Sequence, residues 1–284
     1  MLNRRTFIAA AALGAVGLTA LAALTAPPSF AQDKSIIVAS TTSTRDSGLF
    51  NYLLPKFKAK TGITVKVVAQ GTGKALDTGR RCDADVLLVH AKAAEEKFVK
   101  AGYGGPRYPV MYNDFVVVGP KSDPAGIKGM KNVGKAFTTL MNKKADFISR
   151  GDNSGTNKAE LRIWKAAGVN IEKQKGPWYK AIGQGMGATL NTAAASNAYT
   201  LTDRATWIHF KNKQDLVIEV QGDPRLFNQY GVFMVNPKRC PHVKVKLGQQ
   251  FINYLISPEG QKVIKSYKVQ GKQLFHPDAN KPGA

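Results

Sequence analysis

The chain has 284 residues, enough for one large domain or two smaller ones, and 43% of them are hydrophobic. With no low-complexity tract and no internal repeat, this composition indicates a globular protein with a core and excludes a disordered chain or a repeat array. Lysine and arginine number 41 against 19 acidic residues, a net charge of +22 that favours nucleic acid, acidic membranes or small oxyanions as partners.

The N-terminus predicts an export signal. Arg4 and Arg5 precede a run rich in Ala, Gly and Leu, and a small-x-small ending predicts cleavage after Ala31. The arginine pair is typical of a twin-arginine signal. An uncleaved membrane anchor is the alternative, which Pro27 and Pro28 disfavour because they break the apolar segment. We therefore expect a periplasmic chain of net charge +20, and export disfavours nucleic acid as a partner.

Strand and helix patterns alternate along the rest of the chain. Strands are predicted at 35–40, 63–70, 83–91, 113–120, 145–149, 198–203, 216–220 and 230–237. Helices are predicted at 49–62, 72–81, 93–104, 157–168, 185–197 and 204–211, and two more lie within 245–269. This alternation predicts an α/β fold in which helices cover a parallel sheet.

Two segments share one design, a strand followed by a turn rich in Ser, Thr and Gly and then a helix. They are "VASTTSTRDSGLF" and "FISRGDNSGTNKAEL". A helix N-terminus offers unpaired backbone N–H groups and partial positive charge, so such turns can hold an anion. Ordinary helix capping explains either turn alone equally well. Arg150, placed within the second turn, adds a formal charge and favours an oxyanion site.

Several further motifs point to one family. "ASTTSTRDSGLF", "GRRCDADVLLVHAKAAEEKFV", "SRGDNSGT", "GQGMGATLNTA", "AYTLTDR" and "GDPRLFNQYGVFMVNP" occur in order over almost the whole exported chain. Together they resemble the tungstate-binding component of ABC transporters, the TupA family. The resemblance implies a type II periplasmic binding protein, with two lobes, two crossing strands and a ligand cleft. The expected division is a signal peptide at 1–31, one lobe from 32–113 and 230–284, and the other lobe from 114–229.

The resemblance also implies which residues bind the oxyanion. Arg150 matches the arginine that grips the anion in that family. Ser40 stands where the family usually has Thr, and Asn157 stands where His is common. The implied ligand-binding residues are Ser40, Thr41, Thr42, Ser43, Arg150, Ser154, Gly155 and Thr156.

The only two cysteines are Cys82 and Cys240. An even pair in an exported protein suggests one disulfide, and two free buried thiols are the alternative. In the fold that the resemblance implies, both residues lie at the lobe edge away from the cleft, which favours the disulfide.

The expected function is capture of tungstate for an ABC transporter permease by a monomeric binding protein that has no cofactor and is not an enzyme. Molybdate, sulfate or phosphate is the alternative ligand, and Asp46 or Asp152 could accept the proton of phosphate. An exported hydrolase of phosphate or sulfate esters is disfavoured, because the sequence has no nucleophile motif or metal-ligand spacing. "GTGKA" at 71–75 lacks the Ser or Thr of a P-loop. The glycines of "GQGMG" at 183–187 have two equal interpretations, backbone N–H groups offered to the cleft and plain backbone flexibility.

Overall fold

The computed structural model describes residues 34–279. The predicted export signal and its cleavage site lie outside these residues. The helices are α1 (Thr42–Asp46), α2 (Leu49–Thr61), α3 (Thr72–Arg80), α4 (Lys92–Lys100), α5 (Val133–Asn142), α6 (Gly155–Ala166), α7 (Ile171–Gln174), α8 (Met186–Ala195), α9 (Arg204–His209), α10 (Val245–Ile256) and α11 (Pro258–Ser266). The strands are β1 (Ser35–Thr41), β2 (Thr64–Gln70), β3 (Val86–Val89), β4 (Tyr108–Pro120), β5 (Phe147–Ser149), β6 (Tyr179–Ala181), β7 (Thr200–Asp203), β8 (Leu216–Val220), β9 (Phe227–Met234), β10 (Lys268–Val269), β11 (Lys272–Gln273) and β12 (His276–Pro277).

One long strand, β4, takes part in two sheet regions. Its first half pairs with β9, from Tyr108 opposite Val232 to Asp114 opposite Phe227. Its second half pairs with β7 and β8. The chain returns from β8 into β9 through a 3-10 turn, so β4 and β9 are the two crossing strands. This is the architecture expected of a type II binding protein.

The sheet is mixed, whereas the sequence patterns predicted a parallel one. β1 lies between β2 and β3 and is parallel to both, and β5 is parallel to β6. β9 is antiparallel to both β3 and β4, and β7 and β8 are antiparallel to β4. The prediction failed for these strands because strands that enter and leave a second lobe must run in opposite directions.

The buried apolar residues form three clusters. The first cluster contains residues from Ile36 to Met111 and from Tyr230 to Phe275, together with Ala205. The second and third contain residues between Phe115 and Leu226. Two lobes with separate cores account for this division. The exact lobe boundaries stay a prediction.

The disulfide pairing expected from the resemblance is present in the structure. Cys82 follows α3 and Cys240 follows β9, and the two are bonded with their Cα atoms 5.4 Å apart. The bond therefore joins parts of the first lobe that are 158 residues apart in sequence. Within residues 34–279, no helix has the length and apolar character needed to cross a bilayer.

Candidate functional site

The N-terminal ends of four helices meet between the two lobes. The backbone N–H of Gly73, in the first turn of α3, donates to the carbonyl of Asn153 just before α6, at 3.1 Å. Gly185, the residue before α8, lies against Thr42, the first residue of α1: a Cβ added to Gly185 would be 3.5 Å from Thr42 Oγ1. We call the first turns of α1, α3, α6 and α8, together with Arg150, the cradle.

Arg150 lies at the centre of the cradle and is 1% exposed. Its Nη1 donates to Ser43 Oγ at 2.9 Å, and its Nη2 donates to Thr42 Oγ1 at 3.0 Å. Nη2 also donates to Asp152 Oδ2 at 2.6 Å, and the backbone N–H of Ser154 donates to Oδ1 of the same carboxylate at 3.2 Å. Arg150 therefore connects the turn before α6 to the first turn of α1 across the lobes.

The hydroxyls of Thr42 and Ser43 keep their own hydrogens for another acceptor. A guanidinium only donates, so both hydroxyl oxygens accept from Arg150. Among residues 34–279, neither hydroxyl has a further side-chain or backbone acceptor. Both groups can therefore donate into the cradle while Arg150 fixes their positions.

Three more donors of the cradle are buried and unpaired. Thr72 Oγ1, Arg150 Nε and Thr156 Oγ1 have no hydrogen-bond partner among the described residues. Thr72 begins α3, and Thr156 lies in the first turn of α6. Because an unpaired buried polar group costs roughly 1–3 kcal/mol, three of them in one place indicate a site built for an acceptor that is not part of the protein.

Three of the predicted hydroxyl residues already have protein partners. Ser40 Oγ donates to the carbonyl of Leu88 at 2.6 Å, which joins β1 to β3. Thr41 is the N-cap of α1 and Ser154 is the N-cap of α6. These side chains shape the cradle, whereas Thr42, Ser43 and Thr156 have hydroxyls free to donate. The segment Thr42–Asp46 was predicted as part of a turn, but it is the short helix α1.

Gly155 is placed against an imidazole of the other lobe. A Cβ added to Gly155 would lie 2.8 Å from two ring atoms of His90. Any larger residue at the start of α6 would therefore hold the two lobes apart. His90 is buried. Burial, together with the nearby positive charge of Arg150, lowers the pKa of His90 to about 4, and the hydrogen bond with Asn228 opposes this shift. The imidazole is therefore neutral at physiological pH.

A buried carboxyl group also lies close to the cradle. Asp203 caps α9, and its Oδ1 accepts from the backbone N–H of Thr206 at 2.8 Å. Burial raises the pKa of Asp203 to about 6, and the hydrogen bonds from Thr206 and the charge of Arg150 oppose that rise. Thr206 in turn contacts the carbonyl of Ser43 at 3.1 Å.

The sequence analysis missed Thr72 and left the role of α8 open. "GTGKA" was compared only with a P-loop, which it does not match. The signal that identifies it is the design of the other two segments, a strand followed by a turn with Gly and Thr and then a helix. α3 and α8 reach the cradle only because the lobes approach each other, and residue spacing does not show that approach.

The chemistry of the cradle suits an anion. Its free groups are hydroxyls, a guanidinium N–H and backbone N–H groups, all of which donate. No group of three or more His, Cys, Asp or Glu residues that could hold a metal ion occurs within residues 34–279. Asp46, near the end of α1, is paired with Arg45 at 2.8 Å.

A cavity of about 820 Å³ lies beside the cradle. His90 and Gly155 line it and so stand between the two spaces. Basic side chains on α4 and α6 line it as well, namely Lys92, Lys158 and Arg162. Its size exceeds what a small oxyanion needs.

Comparisons with known proteins agree with this architecture. A family model described as the PBP superfamily domain matches residues 26–259. The tungstate-binding protein TupA of Peptoclostridium acidaminophilum is 44% identical over 284 residues, covering 97% of this chain and 98% of that protein.

Two solved structures are also similar. The crystal structure of the tungstate ABC transporter from Geobacter sulfurreducens is 51% identical, with a TM-score of 0.76 over 82% of this chain and 99% of that chain. The tungstate-binding protein TupA from Desulfovibrio alaskensis G20 is 47% identical, with a TM-score of 0.72 over 87% of this chain and 99% of that chain. The chain therefore belongs to the PBP superfamily and, within it, to the TupA family of ABC-transporter substrate-binding proteins.

Proposed function

We propose that this protein is a periplasmic binding protein that captures tungstate in the cradle and delivers it to an ABC transporter permease. The observation that carries the proposal is the group of three buried, unpaired donors, Thr72 Oγ1, Arg150 Nε and Thr156 Oγ1. The names of the related proteins support tungstate as the ligand. Residues 1–31 act as the export signal, and the exported protein works as a monomer without a cofactor.

The proposed ligand shell contains side chains from both lobes. Thr42, Ser43 and Thr72 contribute hydroxyls from the first lobe, and Arg150 and Thr156 contribute donors from the second. Ser40, Thr41, Ser154 and Gly155, which the resemblance also implied, shape the shell through the backbone and the caps. A hydrogen bond to a charged group contributes roughly 1.5–3 kcal/mol, so five such bonds can offset the dehydration of a dianion.

The donor-only shell favours an oxyanion that carries no proton. Phosphate is partly protonated near neutral pH and needs an acceptor in its site. The two acceptors considered from the sequence are engaged: Asp152 with Arg150 at 2.6 Å, and Asp46 with Arg45 at 2.8 Å. We therefore propose that phosphate binds more weakly than tungstate. Molybdate and sulfate carry no proton at neutral pH, so they remain the ligand alternatives.

The protein acts by binding and release rather than by catalysis. Hydrolysis of an ester needs a nucleophile next to a base, or a metal-bound water. The hydroxyls of Thr42 and Ser43 contact a guanidinium, which cannot accept a proton. His90 Nε2 lies 3.0 Å from the hydroxyl of the capping residue Thr41, and within residues 34–279 no hydrogen bond joins His90 to the free hydroxyls.

Calorimetric titration of the purified protein, first freed of bound anion, tests the proposal. Tungstate, molybdate, sulfate and phosphate are compared at one pH and salt concentration. We expect tight binding of tungstate, and phosphate binding at least tenfold weaker. Tight binding of phosphate alone would show that phosphate, and not tungstate, is the ligand. If none of the four anions binds, the proposed oxyanion function is wrong.

A further inference from the structure

A chain of buried hydrogen bonds runs from the cradle to the crossing strands through His90. His90 Nε2 is 3.0 Å from Oγ1 of Thr41, the cap of α1. His90 Nδ1 is 3.0 Å from Oδ1 of Asn228, in crossing strand β9. Asn228 Nδ2 donates to Oδ1 of Asn113, in crossing strand β4, at 2.7 Å. Asn113 Nδ2 then donates to Asp203 Oδ1 at 3.4 Å.

The chain returns to the cradle on the other side. Asp203 Oδ2 is 2.6 Å from Thr206 Oγ1, which is 3.1 Å from the carbonyl of Ser43 in α1. The path therefore starts and ends at α1 and passes through both crossing strands. All of its side chains are buried, since each is at most 3% exposed apart from His90 at 4%.

The donors and acceptors along the path fix the tautomer of His90. Asn228 uses its Nδ2 to donate to Asn113, so its Oδ1 must accept from His90. His90 Nδ1 therefore carries the hydrogen, and the unprotonated Nε2 accepts from the hydroxyl of Thr41. Thr41 Oγ1 then accepts from Thr44 twice, from its backbone N–H at 3.2 Å and from its hydroxyl at 2.7 Å.

The ring of His90 is fixed from two further directions. It stacks on Tyr230 with ring centroids 4.7 Å apart. Gly155 of the opposite lobe packs against the ring, with no room for a Cβ atom between them. One imidazole thus contacts the cap of α1, a crossing strand and the start of α6. Of these elements, the start of α6 lies in the opposite lobe from the cap of α1, so opening of the cleft would separate Gly155 from the ring.

We propose that His90 is a positioning residue that couples the anion cradle to the crossing strands: it holds Thr41, and through it the first turn of α1, in the geometry that binds the anion in the closed cleft. The inference rests on the proposed function, because it assigns His90 a part in oxyanion binding. A histidine that merely fills the core would tolerate loss of its bond to Thr41 without a change in ligand affinity.

Two substitutions separate the two hydrogen bonds of His90. In His90→Gln the amide oxygen reaches the position of Nε2, so an acceptor for Thr41 remains. In His90→Asn the amide nitrogen occupies the position of Nδ1, so a donor for Asn228 remains and the acceptor for Thr41 is lost. Tungstate dissociation constants are measured by calorimetry for both variants and the unaltered protein, and melting temperatures are measured without anion.

We expect His90→Gln to bind tungstate within about threefold of the unaltered protein and His90→Asn to bind about tenfold more weakly, while their ligand-free melting temperatures are similar. Equal dissociation constants for the two variants, or weaker binding by His90→Gln, would overturn the inference and leave the proposed function intact. If the unaltered protein itself fails to bind tungstate, the proposed function falls, and this inference falls with it.

The tautomer offers a second test that needs no variant. Nitrogen NMR of the unaltered protein, labelled at histidine, distinguishes a protonated Nδ1 from a protonated Nε2. We expect His90 to carry its hydrogen on Nδ1 at pH 7 with tungstate bound. A hydrogen on Nε2 would overturn the inference, because His90 could then not accept from Thr41.

Discussion

Two buried arginines of this protein show how similar ion pairs serve different purposes. Arg107 pairs with Glu95 at 2.6 Å, with side chains 8% and 0% exposed. Arg150 pairs with Asp152 at the same distance, with side chains 1% and 10% exposed. Each guanidinium also has one buried nitrogen without a partner among the described residues, Nη2 of Arg107 and Nε of Arg150. An unpaired nitrogen alone therefore does not identify a binding site.

The difference lies in what surrounds each guanidinium. Arg107 packs against the β9 backbone, since a Cβ added to Gly231 would be 2.5 Å from its Nε. Arg150 contacts two hydroxyls that retain their hydrogens, and further unpaired hydroxyls lie in the same cradle. Donors gathered from several elements indicate a missing acceptor. An arginine that contacts only one carboxylate and the surrounding backbone, as Arg107 does within residues 34–279, indicates an ion pair with a structural role.

Removal of Arg150 gives the largest effect on binding. Arg150→Ala takes away the formal positive charge of the cradle and leaves Asp152 as an unpaired negative charge beside the anion. We expect the tungstate dissociation constant to rise by at least about 100-fold, the scale of breaking a buried charge pair. Calorimetric titration measures this change. A dissociation constant within threefold of that of the unaltered protein would show that Arg150 does not bind the anion.

Arg107→Ala is the matched control and should affect stability instead. It leaves Glu95 buried without its partner, which costs about 3 kcal/mol in the free energy of unfolding. We expect the tungstate dissociation constant to stay within threefold. Urea unfolding of the ligand-free protein gives the first quantity and calorimetry the second. A loss of affinity as large as that of Arg150→Ala would erase the distinction between the two arginines.

The pH dependence of stability sharpens the structural side of the comparison. Burial raises the pKa of Glu95 to about 7 from 4.5, and the charge of Arg107 opposes that rise. Because the folded protein holds this proton more tightly, the contribution of Glu95 to stability is complete below pH 4.5 and is lost as the pH rises to 7.

Glu95→Gln cannot titrate, so it isolates this contribution. We expect the unfolding free energy of the unaltered protein to fall, relative to Glu95→Gln, by roughly 3 kcal/mol between pH 4 and pH 8. Urea unfolding at several pH values measures the two curves. Parallel curves would show that Glu95 titrates in the folded protein as it does in the unfolded chain.

The smallest expected effect concerns a single hydroxyl. Thr72→Val removes an unpaired buried group, so we expect tungstate to bind about tenfold more weakly while ligand-free stability is unchanged or rises by about 1 kcal/mol. In the control Thr200→Val, the lost hydroxyl donates to the carbonyl of Ile148 at 2.7 Å. That variant should lose about 1 kcal/mol of stability and keep its affinity. If Thr72→Val destabilises the ligand-free protein as much as Thr200→Val does, Thr72 has a structural partner after all.

The sequence predicted most of the regular structure, because each element carries its own periodicity. The predicted strand at 63–70 is β2, and the helix at 49–62 is α2. α5 was not predicted, and α1 was taken for a turn because five residues show no periodicity. The prediction of a parallel sheet was wrong for β4 and β9, because strand direction depends on how the chain crosses between the lobes.

For the site, local sequence identified the turns and long-range packing decided which groups remain free. Arg150 was named as the central charge, and the structure buries it among hydroxyls of the other lobe. Ser40 donates to Leu88 on β3, and Thr41 contacts His90, which follows β3, so no local pattern shows these long-range partners. Only the capping role of Thr41 has a local signal. Thr72 was missed because its segment was compared only with a P-loop. Its importance depends on the contact between Gly73 and Asn153, which joins the lobes.

The most direct test of the central claim is a crystal structure of the protein with tungstate, in which anomalous scattering locates the metal atom. We predict one tungstate in the cradle, with its oxygens about 2.7–3.1 Å from Thr72 Oγ1, Arg150 Nε and Thr156 Oγ1. Tungstate found in the neighbouring cavity of about 820 Å³, with those three atoms still unpaired, would contradict the account.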